Sequence, residues 1–101
     1  MDKLQEDDAT ELSEIFHLLG DASRLKIVYG CLEAPISAGV LAESLGLSPS
    51  LVSHHLRLLK AARILISDRR GRQIFYSAAD DHVRDMIRDM VTHINEERDM
   101  L

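Results

Sequence analysis

The chain has 101 residues, 46% of them hydrophobic and 29% charged, with a formal net charge of −5. This is the length of one domain, able to hold a core yet small enough to gain from a partner subunit, and a single cysteine excludes a disulfide framework and any CxxC metal or redox site. No apolar run approaches the roughly 18–20 residues of a membrane span, and Met1-Asp2-Lys3-Leu4 does not read as a signal peptide, so a cytoplasmic protein without a membrane partner is expected.

The acids Asp7, Asp8 and Glu11 favour a helix N-terminus, and Leu12, Ile15, Phe16 and Leu19 follow at helical spacing up to Gly20. Asp21 can cap a second helix with Leu25, Val28, Tyr29 and Leu32 on one face, ended by Pro35. Ser37 can cap a short third helix holding Val40, Leu41 and Leu45 and closed by Gly46. Ser48-Pro49 restarts at once, a capping hydroxyl followed by proline in the first turn, and Leu51, Val52, Leu56, Leu58 and Leu59 carry a fourth helix to about Ala62.

Residues 64–67 and 73–77 read as two short strands joined by Asp68-Arg69-Arg70-Gly71-Arg72. From Asp80 onward Val83, Met86, Ile87, Met90, Val91 and Ile94 restore the helical period as an amphipathic stripe. There is no linker or repeat. The expected fold is mainly α with a β-hairpin wing: four helices, a hairpin and a long last helix, forming one domain over residues 1–101.

The net charge hides a strong polarity. Residues 1–47 carry three basic and nine acidic residues, and residues 74–101 carry three and seven. Residues 48–73 carry Arg57, Lys60, Arg63, Arg69, Arg70 and Arg72 against Asp68 alone. The basic block coincides with a helix-turn-helix (residues 37–62, turning at Gly46-Leu47) and with the hairpin after it. The second helix of such a unit enters the DNA major groove by its N-terminal part. Ser48, Ser50, Ser53, His54 and Arg57 supply donors and acceptors for phosphates and base edges, and Arg69, Arg70 and Arg72 suit a wing that tracks the backbone.

Three segments in order, Leu19–Ile27, Ser48–Lys60 and Arg70–Ser77, resemble signature segments of the ArsR/SmtB family, winged-helix metal-sensing repressors of bacteria and archaea. The resemblance spans about residues 10–97. It implies a winged helix-turn-helix homodimer built on the first and last helices. It also implies a repressor that leaves double-stranded operator DNA when an inducer, usually a metal ion, binds.

The ligands must come from this chain. Ser37-Ala38-Gly39-Val40-Leu41 has no thiolate on the third helix, and residues 1–16 contain neither Cys nor His. Soft ions are therefore poor candidates. The last helix offers Asp80, His82, His93 and Glu96. His82 and His93 are eleven residues apart, within about 20° of three full turns, so they face the same way about 16 Å apart along the axis. One helix cannot place both on one ion. An antiparallel pair of last helices can, giving two equivalent sites, each of Asp80 and His82 with the second copy's His93 and Glu96. Two imidazoles and two carboxylates suit Zn(II), with Co(II) a good mimic, while Ni(II) wants more ligands. The spacing resembles the C-terminal-helix site of the family's zinc sensors. Asp81, Asp85 or Glu97 could replace a carboxylate in this set.

His54 and His55, about 100° apart on a helix, fit DNA contact or packing better than chelation. His17 reads as structural or exposed, and Cys31 as a small buried hydrophobe. Two alternatives stay open: a repressor of the same fold with a non-metal inducer such as oxidation of Cys31, and a hydrolytic zinc centre. No nucleophile or glycine-rich substrate loop accompanies the latter, so no enzyme is expected.

Overall fold

The structure, a computed structural model, describes residues 3–99, Glu97 and Asp99 by their backbone alone. Its elements are α1 (Glu6–Leu19), α2 (Ala22–Gly30), β1 (Ile36–Ser37), α3 (Ala38–Leu45), α4 (Pro49–Ala61), β2 (Leu65–Arg70), β3 (Gln73–Ala78) and α5 (Asp81–Asp99).

Side-chain caps set the helix starts. Asp21 accepts from the Arg24 N–H at 3.0 Å, Ser37 from Val40 at 3.3 Å, Ser48 from Leu51 at 3.2 Å and Asp80 from Val83 at 3.0 Å. Each satisfies a backbone donor that a helix start leaves orphaned, worth about 1 kcal/mol. No side-chain cap opens α1, where Glu6, Asp7 and Asp8 instead place negative charge at the positive end of the helix dipole.

Three expectations need correction. α2 ends at Gly30 rather than continuing toward Pro35, and Leu32 enters the core from beyond the helix. The buried residues of α2 are Ile27 and Val28, whereas Leu25 and Tyr29 are exposed. The hairpin strands run to the tip, Arg70 pairing with Gln73, so the turn is Gly71-Arg72 rather than five residues. Glycine at φ 65 supplies the positive dihedral that two-residue hairpin turns require.

A further strand, β1, was not expected from the sequence. Ile36 and Ser37 pair antiparallel with Tyr76 and Phe75, giving a three-stranded sheet in the order β1-β3-β2. This edge strand ties the start of α3 to the base of the wing.

The core holds Ile27, Val28, Leu32, Leu41, Val52, Leu56, Leu59, Ile64 and Leu65, all at most 1% exposed. Burying each contributes about 1.5–3 kcal/mol. The terminal helices join it sparingly: Leu19 from α1 and Ile87 from α5 are their buried members. Polar links help to dock them. Arg24 Nε donates to the Leu18 carbonyl at 2.7 Å, Arg84 Nε to the Leu32 carbonyl at 2.9 Å, and an Arg88 N–H to Glu33 at 2.6 Å. Leu12 and Phe16 on α1, and Met90 and Ile94 on α5, remain 41–54% exposed. Among the described residues no helix is long and apolar enough to cross a membrane.

Candidate nucleic-acid interface and metal ligands

Gly46 closes α3 in the left-handed conformation (φ 66), and the Leu47 N–H donates back to the Ala42 carbonyl at 3.0 Å. This closure reverses the chain within two residues, and Ser48 and Pro49 begin α4 immediately. The core face of α4 is Val52, His55, Leu56 and Leu59. At 100° per residue, Ser50, His54 and Arg57 lie opposite that face with Ser53 on its flank, and all four are exposed. Ser48 is exposed as well. Its oxygen accepts the cap hydrogen bond, and its hydroxyl proton is a further donor.

The wing arginines are exposed but not equivalent. Arg69 and Arg70 are consecutive strand residues and therefore project to opposite faces of the ribbon. Arg70 Nε donates to Asp68 at 3.0 Å, and its guanidinium lies 5.1 Å from the centroid of the Phe75 ring. An exposed pair of this kind adds little stability, yet it holds the side chain in one place. Arg72 stands in the turn. A cleft of about 340 Å³ brings it to Ser53 of α4, together with Ser37, Gly39, Gln73 and Tyr76. Gln73 and Tyr76 carried no signal in the sequence, because the cleft forms only once β1 fixes β3 against the start of α3.

His54 and His55 divide their surroundings. His54 is exposed on the reading face, while His55 is buried against the core, the two ring centroids being 5.9 Å apart. Nδ1 of His55 is enclosed without a hydrogen-bond partner. Burial and then the Arg24 guanidinium hold its pKa below the ordinary histidine range, opposed by the Asp21 carboxylate.

The four candidate metal ligands occupy the two ends of α5, and all are exposed. Asp80 is the helix cap, through one carboxylate oxygen. With His82 it borders a cleft of about 400 Å³ shared with Glu11 and Arg63. Arg63, two residues past the end of α4, has φ 62 and is ion-paired with Glu11. His93 and Glu96 lie three turns away, about 16 Å along the axis. Among the described residues, no group of three or more His, Cys, Asp or Glu within one chain is placed to hold a metal ion. Of the substitute carboxylates, Asp81 is paired with Arg84 at 2.5 Å, Asp85 is exposed, and the Glu97 side chain lies outside the described residues. The donor chemistry fits a borderline cation, provided that a second copy supplies half of it.

Cys31 is fully buried, and burial pushes its thiol up to about 12. A thiol so enclosed is a core side chain rather than a redox sensor. His17 is exposed.

A capped helix pair with a polar, basic reading face, followed by an arginine-bearing hairpin, defines a winged helix-turn-helix DNA-binding protein. Residues 21–67 match the family described as "Bacterial regulatory protein, arsR family". Over 90 residues the chain is 36% identical to a Synechocystis protein named Transcriptional repressor SmtB homolog, covering 89% of this chain and 68% of that one. Over 94 residues it is 31% identical to a Staphylococcus aureus protein named Cadmium resistance transcriptional regulatory protein CadC homolog, covering 92% and 78%. The solution structure of apo-NmtR superposes with a TM-score of 0.77 at 31% identity, over 95% of this chain and 81% of that one. The chain belongs to the ArsR family of bacterial regulatory proteins. It is a DNA-binding transcription regulator of the ArsR/SmtB type, not an enzyme.

Proposed function

We propose that this protein is a Zn(II)-responsive transcriptional repressor that holds double-stranded operator DNA as a homodimer and leaves it when the metal is bound between the two α5 helices. The observation that carries this reading is the division of a two-imidazole, two-carboxylate donor set. Asp80 and His82 begin α5, and His93 and Glu96 stand three turns on. The halves meet only when a second α5 runs antiparallel beside the first.

Exposed Met90 and Ile94 give that pairing an apolar seam, and the histidines lie about 80–100° from it, along its edge. Leu12 and Phe16 extend the uncovered apolar surface onto α1, more than an isolated chain keeps in water without cost. A bound Zn(II) supplies a four-coordinate link between the two helices, and Co(II) the same with small change. Ni(II) asks for more ligands than this set contains.

On the DNA side, Ser50, Ser53, His54 and Arg57 read base edges from the exposed face of α4. Ser48, Arg69, Arg70 and Arg72 contact phosphates. Asp80 and His82 share a cleft with Arg63, two residues past the end of α4, which offers a route from the start of α5 to the reading helix. Linkage makes the effect reciprocal: operator DNA must weaken metal binding by the same free energy, typically about 1–3 kcal/mol. The repressor works in the cytoplasm, where both DNA and metal reach it.

The test is operator affinity at fixed salt with and without Zn(II), for the unsubstituted protein and for His82→Ala and His93→Ala. Both variants are expected to bind operator normally and to ignore zinc. Loss of operator binding without metal in either variant contradicts the proposed division between α4 and α5.

A further inference from the structure

Among the described residues the buried polar side chains are Ser37 and His55. Ser37 is a helix cap. His55 has no such role: its Nδ1 is closed off from solvent and has no hydrogen-bond partner. The ring lies on the face of α4 that seats the reading helix in the core, flanked by Val52, Leu56 and Leu59.

The charged and titratable groups around it are few. From α2 come the Asp21 carboxylate and the Arg24 guanidinium, and from α4 itself the His54 ring. α3 and β2, which also pack on α4, turn Leu41, Ala42 and Leu65 into the core and add no charge to its surroundings. Both α2 groups are already engaged. Arg24 Nε donates to the Leu18 carbonyl at 2.7 Å, and Asp21 accepts from the Arg24 backbone N–H at 3.0 Å, the bond that caps α2.

A proton arriving at Nδ1 would create a buried N–H donor, carrying charge, with no acceptor in place and a guanidinium nearby. The nearby carboxylate is Asp21, one of whose oxygens already caps α2; Nδ1 has no partner where it stands, so meeting that carboxylate requires the ring or Asp21 to shift. Otherwise the ring must swing toward water and take its part of α4 with it.

We propose that His55 makes the seat of the reading helix sensitive to a proton: protonation at its enclosed Nδ1 loosens α4 from the start of α2 and weakens operator binding, without any metal. The inference rests on α4 carrying DNA binding and not on the zinc site. Its sign follows from the environment. Burial and Arg24 disfavour the cation, so the seat is intact above the ordinary histidine value of about 6.5 and is lost as pH falls through the lower value in the folded protein.

The experiment is operator affinity at fixed salt, with a chelator present throughout, at about pH 7.5 and about pH 5.5, bracketing the histidine range. It compares the full-length protein with His55→Gln, which keeps a polar group of similar reach but does not titrate. The unsubstituted protein is expected to lose at least about threefold more affinity on acidification than His55→Gln. Equal pH dependence in the two proteins overturns the proposal. If His55→Gln does not fold, NMR titration of the unsubstituted protein decides instead. The His55 ring is expected to titrate below the ordinary range while the Arg24 amide, whose acceptor is Asp21, shifts in the same step. A midpoint at or above that range, or an Arg24 amide that does not move, overturns it. Because the chelator removes metal, a protein that ignores zinc but answers to pH sinks the zinc reading alone. One that answers to zinc but not to pH sinks this inference alone.

Discussion

The Asp80 carboxylate accepts a hydrogen bond from the backbone N–H of Val83 at 3.0 Å, so a residue proposed as a metal ligand also opens the helix that carries the other three. A carboxylate has two oxygens, and capping commits one of them. The start of α5 and the proposed ligand field are therefore tied through one side chain. Asparagine caps a helix about as well as aspartate but brings no negative charge to a cation. Asp80→Asn is expected to keep its thermal stability while its Zn(II) affinity falls tenfold or more, a change of about 1.4 kcal/mol. Asp80→Ala is expected to lose that affinity and, in addition, about 1 kcal/mol of stability. Calorimetric zinc titration beside thermal melts separates the two; unchanged zinc affinity in both variants removes Asp80 from the ligand set.

Arg57 and Arg72, both proposed DNA contacts, stand on different elements, the reading helix and the wing turn. Replacing either by alanine is expected to lower operator affinity and to reduce the slope of log affinity against log salt by about 0.9 for each phosphate no longer neutralised. If Arg57 reads a base edge, its variant also relaxes sequence preference, whereas Arg72→Ala weakens all sequences alike. Binding isotherms at several salt concentrations show the difference. A salt slope unaltered in both variants places the interface elsewhere.

Gly46 and Gly39 make a controlled pair, since a Cβ added at either meets nothing within 4 Å. They differ in backbone, Gly46 having φ 66 at the helix-turn-helix corner. Gly46→Ala is expected to cost about 1–2 kcal/mol from the left-handed conformation alone, while Gly39→Ala, inside α3, costs nothing in stability and can gain a few tenths of a kcal/mol. Denaturant unfolding of the two variants checks this.

Cys31, with its thiol pushed up to about 12 and no exposed surface, is expected to resist a thiol reagent in the folded protein and to react fully once unfolded. Rapid labelling under native conditions would restore the reading in which thiol oxidation is the inducing signal.

Much of the local structure was legible because short-range chemistry specifies it. Asp21, Ser37 and Ser48 were readable as caps from their positions ahead of apolar periods, and each caps its helix. Gly46 was readable as a stop and takes the left-handed conformation. What could not be read depends on partners far along the chain. β1 is two residues long and exists only through its pairing with Tyr76 and Phe75, so it has no period to detect. Leu25 and Tyr29 share helical spacing with Val28, yet α2 turns them outward, because the core is reached by Ile27, Val28 and the segment after Gly30. The sequence set His54 among the expected DNA contacts and left His55 between contact and packing; the orientation of α4 places His55 in the core and His54 toward solvent. In the candidate metal site, the ligand types and register were open to reading. The antiparallel pairing that would join them was inferred from that register, and among the described residues one chain does not assemble them.

That pairing leads to the most direct measurement. His82→Ala and His93→Ala each break both proposed sites of a homodimer, because every site takes one histidine from each chain. Mixed and allowed to exchange subunits, the two proteins form heterodimers in which one site regains both histidines, His82 from one chain and His93 from the other. Zinc binding measured for each variant alone and for the mixture should be weak, weak and then restored in proportion to the heterodimer formed, with one tight tetrahedral site in each. Zinc affinity that stays weak in the mixture, or remains tight in either variant alone, contradicts a metal site shared between two α5 helices.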